Sequence, residues 1–198
     1  MGDPRRTKSK YSKPGHPWQK ERIEEERALL KEYGLKNKTE IYRARSKLKT
    51  FSDLAKKLIA ARGSQAEKEK QQLLTRLAKM GLVKQGAKLD DVLGVQLRNI
   101  LERRLQTIAF RKGLARSINQ ARQFITHEHV MVNNRIVSSP SYHVPIEEET
   151  SIVFVPTSKL ANTAHPERAL PQKKPEAPQQ QKEERKRRAP PHQKEGDK

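Results

Sequence analysis

The chain has 198 residues, of which 33% are hydrophobic and 5% aromatic, and its 43 Lys and Arg outnumber its 23 Asp and Glu to give a formal net charge of +20. So little apolar material predicts that part of the chain orders only on a partner, and the charge favours nucleic acid, because neutralised phosphates release counterions. The lack of cysteine excludes disulfides and Cys-ligated zinc, and no apolar run could span a bilayer.

The first half of the chain is predicted to be an extended basic arm followed by helices. Prolines interrupt residues 1–18, so a disordered tail is one interpretation, but Trp18 suggests that the end of the arm docks on another surface. Apolar residues at helical spacing then predict four helices. The first covers 19–33 and has a left-handed end at Gly34, and the second begins at Thr39. The third runs from a cap at Ser52 to Gly63, and the fourth begins with a capping box at Ser64.

The second half is predicted to combine helices with a small sheet. Helical spacing continues over about 96–111, and Ser117 is placed to cap another helix. The pattern of 129–137 then alternates around two asparagines, which tolerate positive φ and so predict a hairpin, and 152–155 predict a last strand. Residues 166–198 are rich in Pro, Gln and Lys and lack Phe, Trp and Tyr, so we expect a disordered basic tail.

The strongest functional signal is a basic helical pair between residues 101 and 122, which holds six Arg or Lys and one Glu. Apolar positions fill one face of each helix, so the basic side chains crowd the other faces. Arginine suits phosphate because its planar fork donates two parallel hydrogen bonds, and the helix start after Ser117 adds backbone N–H groups. An ordinary solvated face is the alternative, but so little acid balances this one that we favour binding. The expected contacts come from Arg103, Arg104, Arg111, Lys112, Arg116, Ser117, Gln120 and Arg122, with Asn133, Asn134 and Arg135 adding contacts from the hairpin.

A close resemblance to the S-four RNA-binding module, also called the alpha-L motif, is carried by residues 101–125 (LERRLQTIAFRKGLARSINQARQFI) and 127–144 (HEHVMVNNRIVSSPSYHV). Segments 16–22, 33–38 and 89–93 resemble the archaeal form of the small-subunit ribosomal protein S-four family. The resemblance extends over roughly residues 1–170, so it includes the flanks as well as the module.

The resemblance implies an α+β fold, in which a helical region at 19–100 precedes a module at 101–165 whose two helices pack on a small, mainly antiparallel sheet. It implies a structural constituent of the small ribosomal subunit that binds 16S ribosomal RNA directly, nucleates assembly of the subunit body and contributes to translational accuracy. Implied partners are ribosomal protein S-five, other small-subunit proteins, and messenger RNA where it enters the subunit. We therefore expect a cytoplasmic protein with no membrane association, cofactor, metal or homo-oligomer.

One residue departs from the usual pattern of the module. Glu128 stands where glycine is usual, and a positive φ at that position would strain a glutamate. We therefore expect the turn at 127–129 to be the least family-like part. The two histidines of this turn, His127 and His129, are a candidate metal pair, but no third ligand is evident and packing or RNA contact is the simpler interpretation.

Two other functions use the same module. It is appended to some pseudouridine synthases, methyltransferases and tyrosyl-tRNA synthetases, but these need a catalytic domain for which the chain has no evident room. A free RNA-binding heat-shock or quality-control factor usually has little beyond the module, and the helical residues 19–81 argue against that class. We therefore expect a ribosomal protein and not an enzyme.

Overall fold

The computed structural model describes residues 9, 11–162 and 165–167, and the predicted α+β class is confirmed. Within the described residues, seven helices precede a three-stranded sheet, an eighth short helix lies between its second and third strands, and a short 3₁₀ turn follows. In chain order the elements are α1 (Lys20–Glu32), α2 (Lys38–Ala60), α3 (Ser64–Lys79), α4 (Leu89–Leu93), α5 (Leu97–Glu102), α6 (Leu105–Arg111), α7 (Ile118–Thr126), β1 (Val130–Val132), β2 (Arg135–Ile136), α8 (Ile146–Glu149), β3 (Val153–Phe154) and the turn Lys159–Ala161.

The N-terminal arm docks on α2 through Tyr11. The Tyr11 ring stacks on Tyr42 with the centroids 6.4 Å apart, and the Ser12 N–H donates to Ser46 Oγ at 3.0 Å. The Trp18 side chain is 89% exposed, so the expected docking of this ring does not occur within the described chain. The arm before Ser9 and nearly all of the predicted disordered tail lie outside the described residues.

Helices α1 to α5 pack around two apolar clusters that share the long helix α2. One cluster joins the end of α1 to the first half of α2 and to α5, with Tyr33, Ile41 and Leu101 buried at its centre. The other joins the second half of α2 to α3 and α4 around Leu58 and Leu77. None of the helices in the described ranges is long and apolar enough to cross a membrane.

Two predicted helix boundaries in this region are wrong. The helices expected from Thr39 and from a cap at Ser52 are one continuous helix, α2, because no glycine or proline breaks the run and tertiary packing favours its extension. Helix α3 begins at Ser64 itself, with Gly63 in the capping position and no side-chain cap bond. The left-handed end of α1 is confirmed, since Gly34 has a φ of +55° and Leu35 N–H donates to Leu30 O.

The single helix predicted over 96–111 is also wrong, because it breaks at Arg103 and Arg104. Arg104 is extended, with φ −74° and ψ 141°, and it caps the start of α6. The break frees backbone groups that pair with a later segment of the chain. Leu105 N–H donates to Tyr142 O at 2.7 Å, and Val144 N–H donates to Arg103 O at 3.0 Å. These tertiary hydrogen bonds replace two that a continuous helix would form.

The module has its own core between α6, α7 and the sheet. Strand β1 is central and pairs antiparallel with β2 on one side and β3 on the other. Leu105, Phe124, Ile125 and Val132 are among its buried residues, and Phe124 meets Phe154 edge to face. The predicted hairpin is confirmed, and its two asparagines have φ of 48° and 60°.

The turn that joins α7 to β1 has a positive φ at Glu128, the conformation that would strain a glutamate there. Glu128 has a φ of +64°, in the left-handed region that favours glycine. Its N–H donates to Ile125 O, and the next residue, His129, donates from its N–H to Phe124 O. These bonds to the end of α7 hold the turn, so the fold retains the left-handed backbone although the residue is not glycine.

Candidate nucleic-acid interface

The basic residues predicted to bind RNA divide into two groups by burial. Arg103, Arg104 and Arg122 have guanidinium groups bound inside the protein, whereas Arg111, Lys112, Arg116 and Arg135 are exposed. We call the second group the exposed basic residues. The two groups differ in which side chains remain free for a partner.

Arg104 and Arg122 share one carboxylate at the junction between the helical region and the module. Glu40 lies in the first turn of α2, and its two oxygens accept 2.7 Å hydrogen bonds from Arg104 Nη2 and Arg122 Nη2. The Arg104 side chain is 4% exposed. We call this three-residue cluster the charged seam, because it ties α2 to the start of α6 and to the middle of α7.

The charged seam perturbs the titration of its own members. Burial alone would raise the pKa of Glu40, but the hydrogen bond from Arg122 and the charges of Arg104 and Arg122 outweigh it and lower that pKa below its ordinary value. Burial lowers the pKa of Arg104, and Glu40 opposes this shift. The carboxylate is therefore held ionised between two cations that have lost most of their water.

Arg103 is bound to the later segment of the module. Its Nε and Nη2 donate to Val144 O at 3.3 and 2.8 Å, and its Nη1 forms a 2.8 Å ion pair with Glu149. This glutamate lies in the short helix α8, together with Glu147 and Glu148. This arrangement uses the whole guanidinium fork internally.

Gln106 and Gly34 form a second, uncharged contact across the same junction. The fully buried Gln106 side chain donates from Nε2 to Gly34 O at 3.0 Å and to Ile118 O at 3.1 Å. A Cβ at Gly34 would lie 2.4 Å from Ile118 Cγ2, so only glycine allows this close approach of α1 to the start of α7.

The exposed basic residues have weak internal partners or none within the described chain. Arg111 pairs with Glu102 at 3.0 Å, with both side chains about half exposed, and Lys112 Nζ donates to Glu149 O. The side chains of Arg116 and Arg135 form no ion pair with any residue that the structure describes. Pairs this exposed are worth little in water, so these cations are free to exchange partners.

The start of α7 is organised around Ser117 and Gln120. The predicted cap is confirmed, because Ser117 Oγ accepts from Gln120 N–H at 3.1 Å. Gln120 Oε1 accepts from Arg116 N–H at 2.7 Å, and its Nε2 donates to Glu167 O at 3.3 Å. Both polar side chains are thus engaged locally, and they fix the loop that carries Arg116.

The hairpin turn presents Asn133, Asn134 and Arg135 to solvent. One backbone group of the turn is bound, since Asn133 N–H donates to Ser151 Oγ at 3.3 Å. The side chains of the two asparagines form no hydrogen bond within the described part of the protein. The turn is therefore tied to Ser151 through its backbone while its asparagine side chains are exposed, which suits polar contact to a partner.

Sequence reasoning missed the contribution of α2 to this region. Glu40 and Lys47 approach the module from α2, and His143 approaches from the segment after the hairpin. Burial, together with the nearby charges of Lys47 and Arg104, lowers the pKa of His143 to about 4. The only signal in sequence is an acid at the start of α2 and basic residues along it, a pattern shared by many exposed helices.

The two histidines of the α7–β1 turn do not form a metal site in the described residues. His129 Nδ1 lies 3.0 Å from Ser158 Oγ, and its ring lies beside Phe124. No group of three or more His, Asp or Glu among the described residues is placed to hold a metal ion. The contacts of His129 are those of a packed side chain.

Comparison with known proteins finds similarity both to the module and to most of the chain. Residues 103–149 match the model of the S4 domain family, which covers α6, α7 and the hairpin described above. Small ribosomal subunit protein uS4 of Methanococcus aeolicus is 52% identical over 169 residues, which is 85% of this chain and 96% of that protein.

Two further relatives extend this finding. The proteins of the same name from Nanoarchaeum equitans and Ignicoccus hospitalis are 49% and 51% identical, over 85% and 80% of this chain and 94% and 95% of their own lengths. The similarity therefore includes the helical region as well as the module. The chain belongs to the small ribosomal subunit protein uS4 family.

Proposed function

We propose that this protein is a structural constituent of the small ribosomal subunit that binds 16S ribosomal RNA. The observation that carries the proposal is the identity of about half the residues to relatives named as small-subunit proteins, over nearly their whole length. A place in that subunit makes the protein cytoplasmic. Its role is recognition of folded RNA by shape and by phosphate and 2′-hydroxyl contacts, without catalysis.

The exposed basic residues are the RNA contacts that the geometry supports best. Arg116 and Arg135 are free of internal ion pairs within the described chain, and Arg111 and Lys112 give up only exposed partners. Asn133 and Asn134 add polar groups at the hairpin. Arg103, by contrast, is engaged with Val144 and Glu149, so we assign it to holding the module together.

We further propose specific partners in the subunit and a division of the chain into two regions. By family resemblance, the protein nucleates assembly of the subunit body, contacts ribosomal protein S-five, lies near messenger RNA where it enters, and influences translational accuracy. We retain the division into a helical region at 19–100 and a module at 101–165 as part of this proposal. The separate apolar clusters on either side of the charged seam support that division.

Sedimentation through a sucrose gradient tests the proposal. The tagged protein should sediment with small subunits, and replacing Arg111, Lys112 and Arg116 together by Ala should shift it towards the top. A control with the same change in charge replaces Lys56, Lys57 and Lys68, which are exposed on α2 and α3. The ribosomal proposal fails if the unaltered protein never sediments with small subunits, and the RNA surface is wrong if the two triple variants sediment alike.

A further inference from the structure

A cavity beside the charged seam carries more positive charge than the seam itself needs. It has a volume of about 210 Å³ and opens between α2, α7 and the segment that follows the hairpin. Its charged and titratable lining residues are Glu40, Arg43, Lys47, Arg104, Arg122 and His143. Four basic side chains thus line the cavity with one carboxylate; Arg43 and Lys47 are exposed to solvent, whereas Arg104 is buried and Arg122 partly buried.

The hydrogen bonds around the cavity leave donors unused. Arg104 is 4% exposed, and its Nε has no hydrogen-bond partner among the described residues. Glu40 accepts a hydrogen bond from one Nη of Arg104, and the other hydrogen bonds of Glu40 come from Arg122. A buried guanidinium nitrogen without an acceptor costs free energy, so an acceptor brought within reach of this nitrogen would be stabilised.

The lowered pKa values of Lys47 and His143 indicate the same shortage of negative charge around the cavity. The pKa of Lys47 is lowered by burial and by the charges of Arg104 and Arg76, and that of His143 lies at about 4 for similar reasons. At pH 7 His143 is therefore neutral and able to accept or donate one hydrogen bond. An oxyanion in the cavity would meet cations on several sides without a second carboxylate to repel it.

We propose that this cavity binds one phosphate group of the RNA backbone, held by Lys47 and Arg43 from α2 and by Arg104 from the module. The proposal rests on the RNA-binding function above and adds a contact on the helical side of the junction. A volume of about 210 Å³ accommodates several water molecules at about 30 Å³ each, and hence a tetrahedral oxyanion in their place. The phosphate would bridge the helical region and the module, so RNA binding would also tighten their junction.

The first test uses inorganic phosphate and the full chain. His143 is followed by NMR, with His143→Gln to assign its signal, while phosphate replaces chloride at constant ionic strength. Bound phosphate should raise the pKa of His143 by at least about half a unit and leave His127 and His129 unchanged. Lys47→Ala should weaken phosphate binding about fivefold to tenfold. Lys49→Ala, which removes an exposed lysine of the same helix that lies outside the cavity lining, should leave it within about twofold.

The second test distinguishes an RNA phosphate from a free anion. Binding of a 16S ribosomal RNA fragment is measured across a range of KCl concentrations for the unaltered protein, Lys47→Ala and Lys49→Ala. Loss of one phosphate contact should reduce the salt slope by about 0.7–0.9 in Lys47→Ala only. Urea unfolding of each variant verifies that both remain folded.

Each outcome decides a different claim. If the RNA fragment binds, but phosphate leaves His143 unchanged and the two lysine variants have equal slopes, the cavity proposal is overturned and the ribosomal function stands. If phosphate binds and the slopes are equal, the cavity takes a free anion and its assignment to RNA is overturned. If the unaltered protein binds no RNA, the proposed function itself fails, whatever phosphate does to His143.

Discussion

At the charged seam, the Arg104 side chain is 4% exposed and shares Glu40 with Arg122. Arg116, just before the start of α7, is exposed and pairs with no carboxylate in the described chain. Both residues are arginines, but they differ in how strongly the stability of the fold depends on their internal partners. A desolvated arginine depends on its partner, because losing that partner leaves a buried charge. An exposed arginine loses little inside the protein and keeps its charge for RNA. Charge density alone therefore does not identify the binding residues.

The largest expected effect comes from removing the shared carboxylate. Glu40→Ala should lower the free energy of unfolding by about 3–5 kcal/mol, because it leaves two partly or fully buried guanidinium groups unpaired. Glu102→Ala removes the exposed partner of Arg111 and should cost about 0–1 kcal/mol. Urea unfolding of both variants measures the contrast, and equal losses would break the distinction between the two groups.

The uncharged contact at the same junction is expected to come next. Gly34→Ala should lower the free energy of unfolding by about 2–3 kcal/mol, because its Cβ would overlap Ile118 and its φ is +55°. Gly113→Ala has a φ of +73° but open space around the new Cβ, so it should cost only about 1 kcal/mol. A loss at Gly34 no greater than the loss at Gly113 would show that the junction is not closely packed.

His143 should make stability depend on pH beside the seam. Its pKa is lowered from 6.5 to about 4 in the folded protein, so below pH 6.5 the unfolded chain binds a proton that the folded protein excludes. Stability should be fully present above that pH and fall by up to about 1.4 kcal/mol per pH unit until pH 4. Urea unfolding between pH 7 and pH 4.5 measures the slope. His143→Gln should flatten it, and an unchanged slope in that variant would contradict the assignment.

The smallest expected effect lies at the α7–β1 turn. Glu128→Gly should raise the free energy of unfolding by about 0.5–1 kcal/mol, because glycine adopts the φ of +64° without steric cost. Asn134→Gly, at a φ of 60°, should gain less because asparagine tolerates this region better than glutamate. A larger gain at Asn134 in thermal unfolding would contradict this account of strain.

Local signals predicted the parts of the fold that depend on neighbouring residues. The Ser117 cap, the Gly34 helix end and the asparagine hairpin each follow from the chemistry of one or two side chains, and all are confirmed. The break at Arg103 and Arg104 was not predictable in this way. It depends on hydrogen bonds to Tyr142 and Val144, which are close in space and far along the chain.

The candidate site shows the same limit in its electrostatics. The sequence correctly marks residues 101–122 as rich in cations, but it does not reveal that Glu40 lies opposite two of them. Burial and pairing at a distance decide which arginines remain available. Helix periodicity places an arginine on the polar face of its own helix and says nothing about a neighbouring helix that covers that face.

The most direct test of this division combines one RNA measurement with one stability measurement on Arg116→Ala. Binding to a 16S ribosomal RNA fragment is measured across KCl concentrations, and urea unfolding is measured on the same preparation. We predict that the salt slope falls by about 0.7–0.9 while the free energy of unfolding stays within about 0.5 kcal/mol of the unaltered protein. An unchanged slope, or a loss of stability as large as that of Glu40→Ala, would contradict the assignment of Arg116 to RNA and of the seam to the fold.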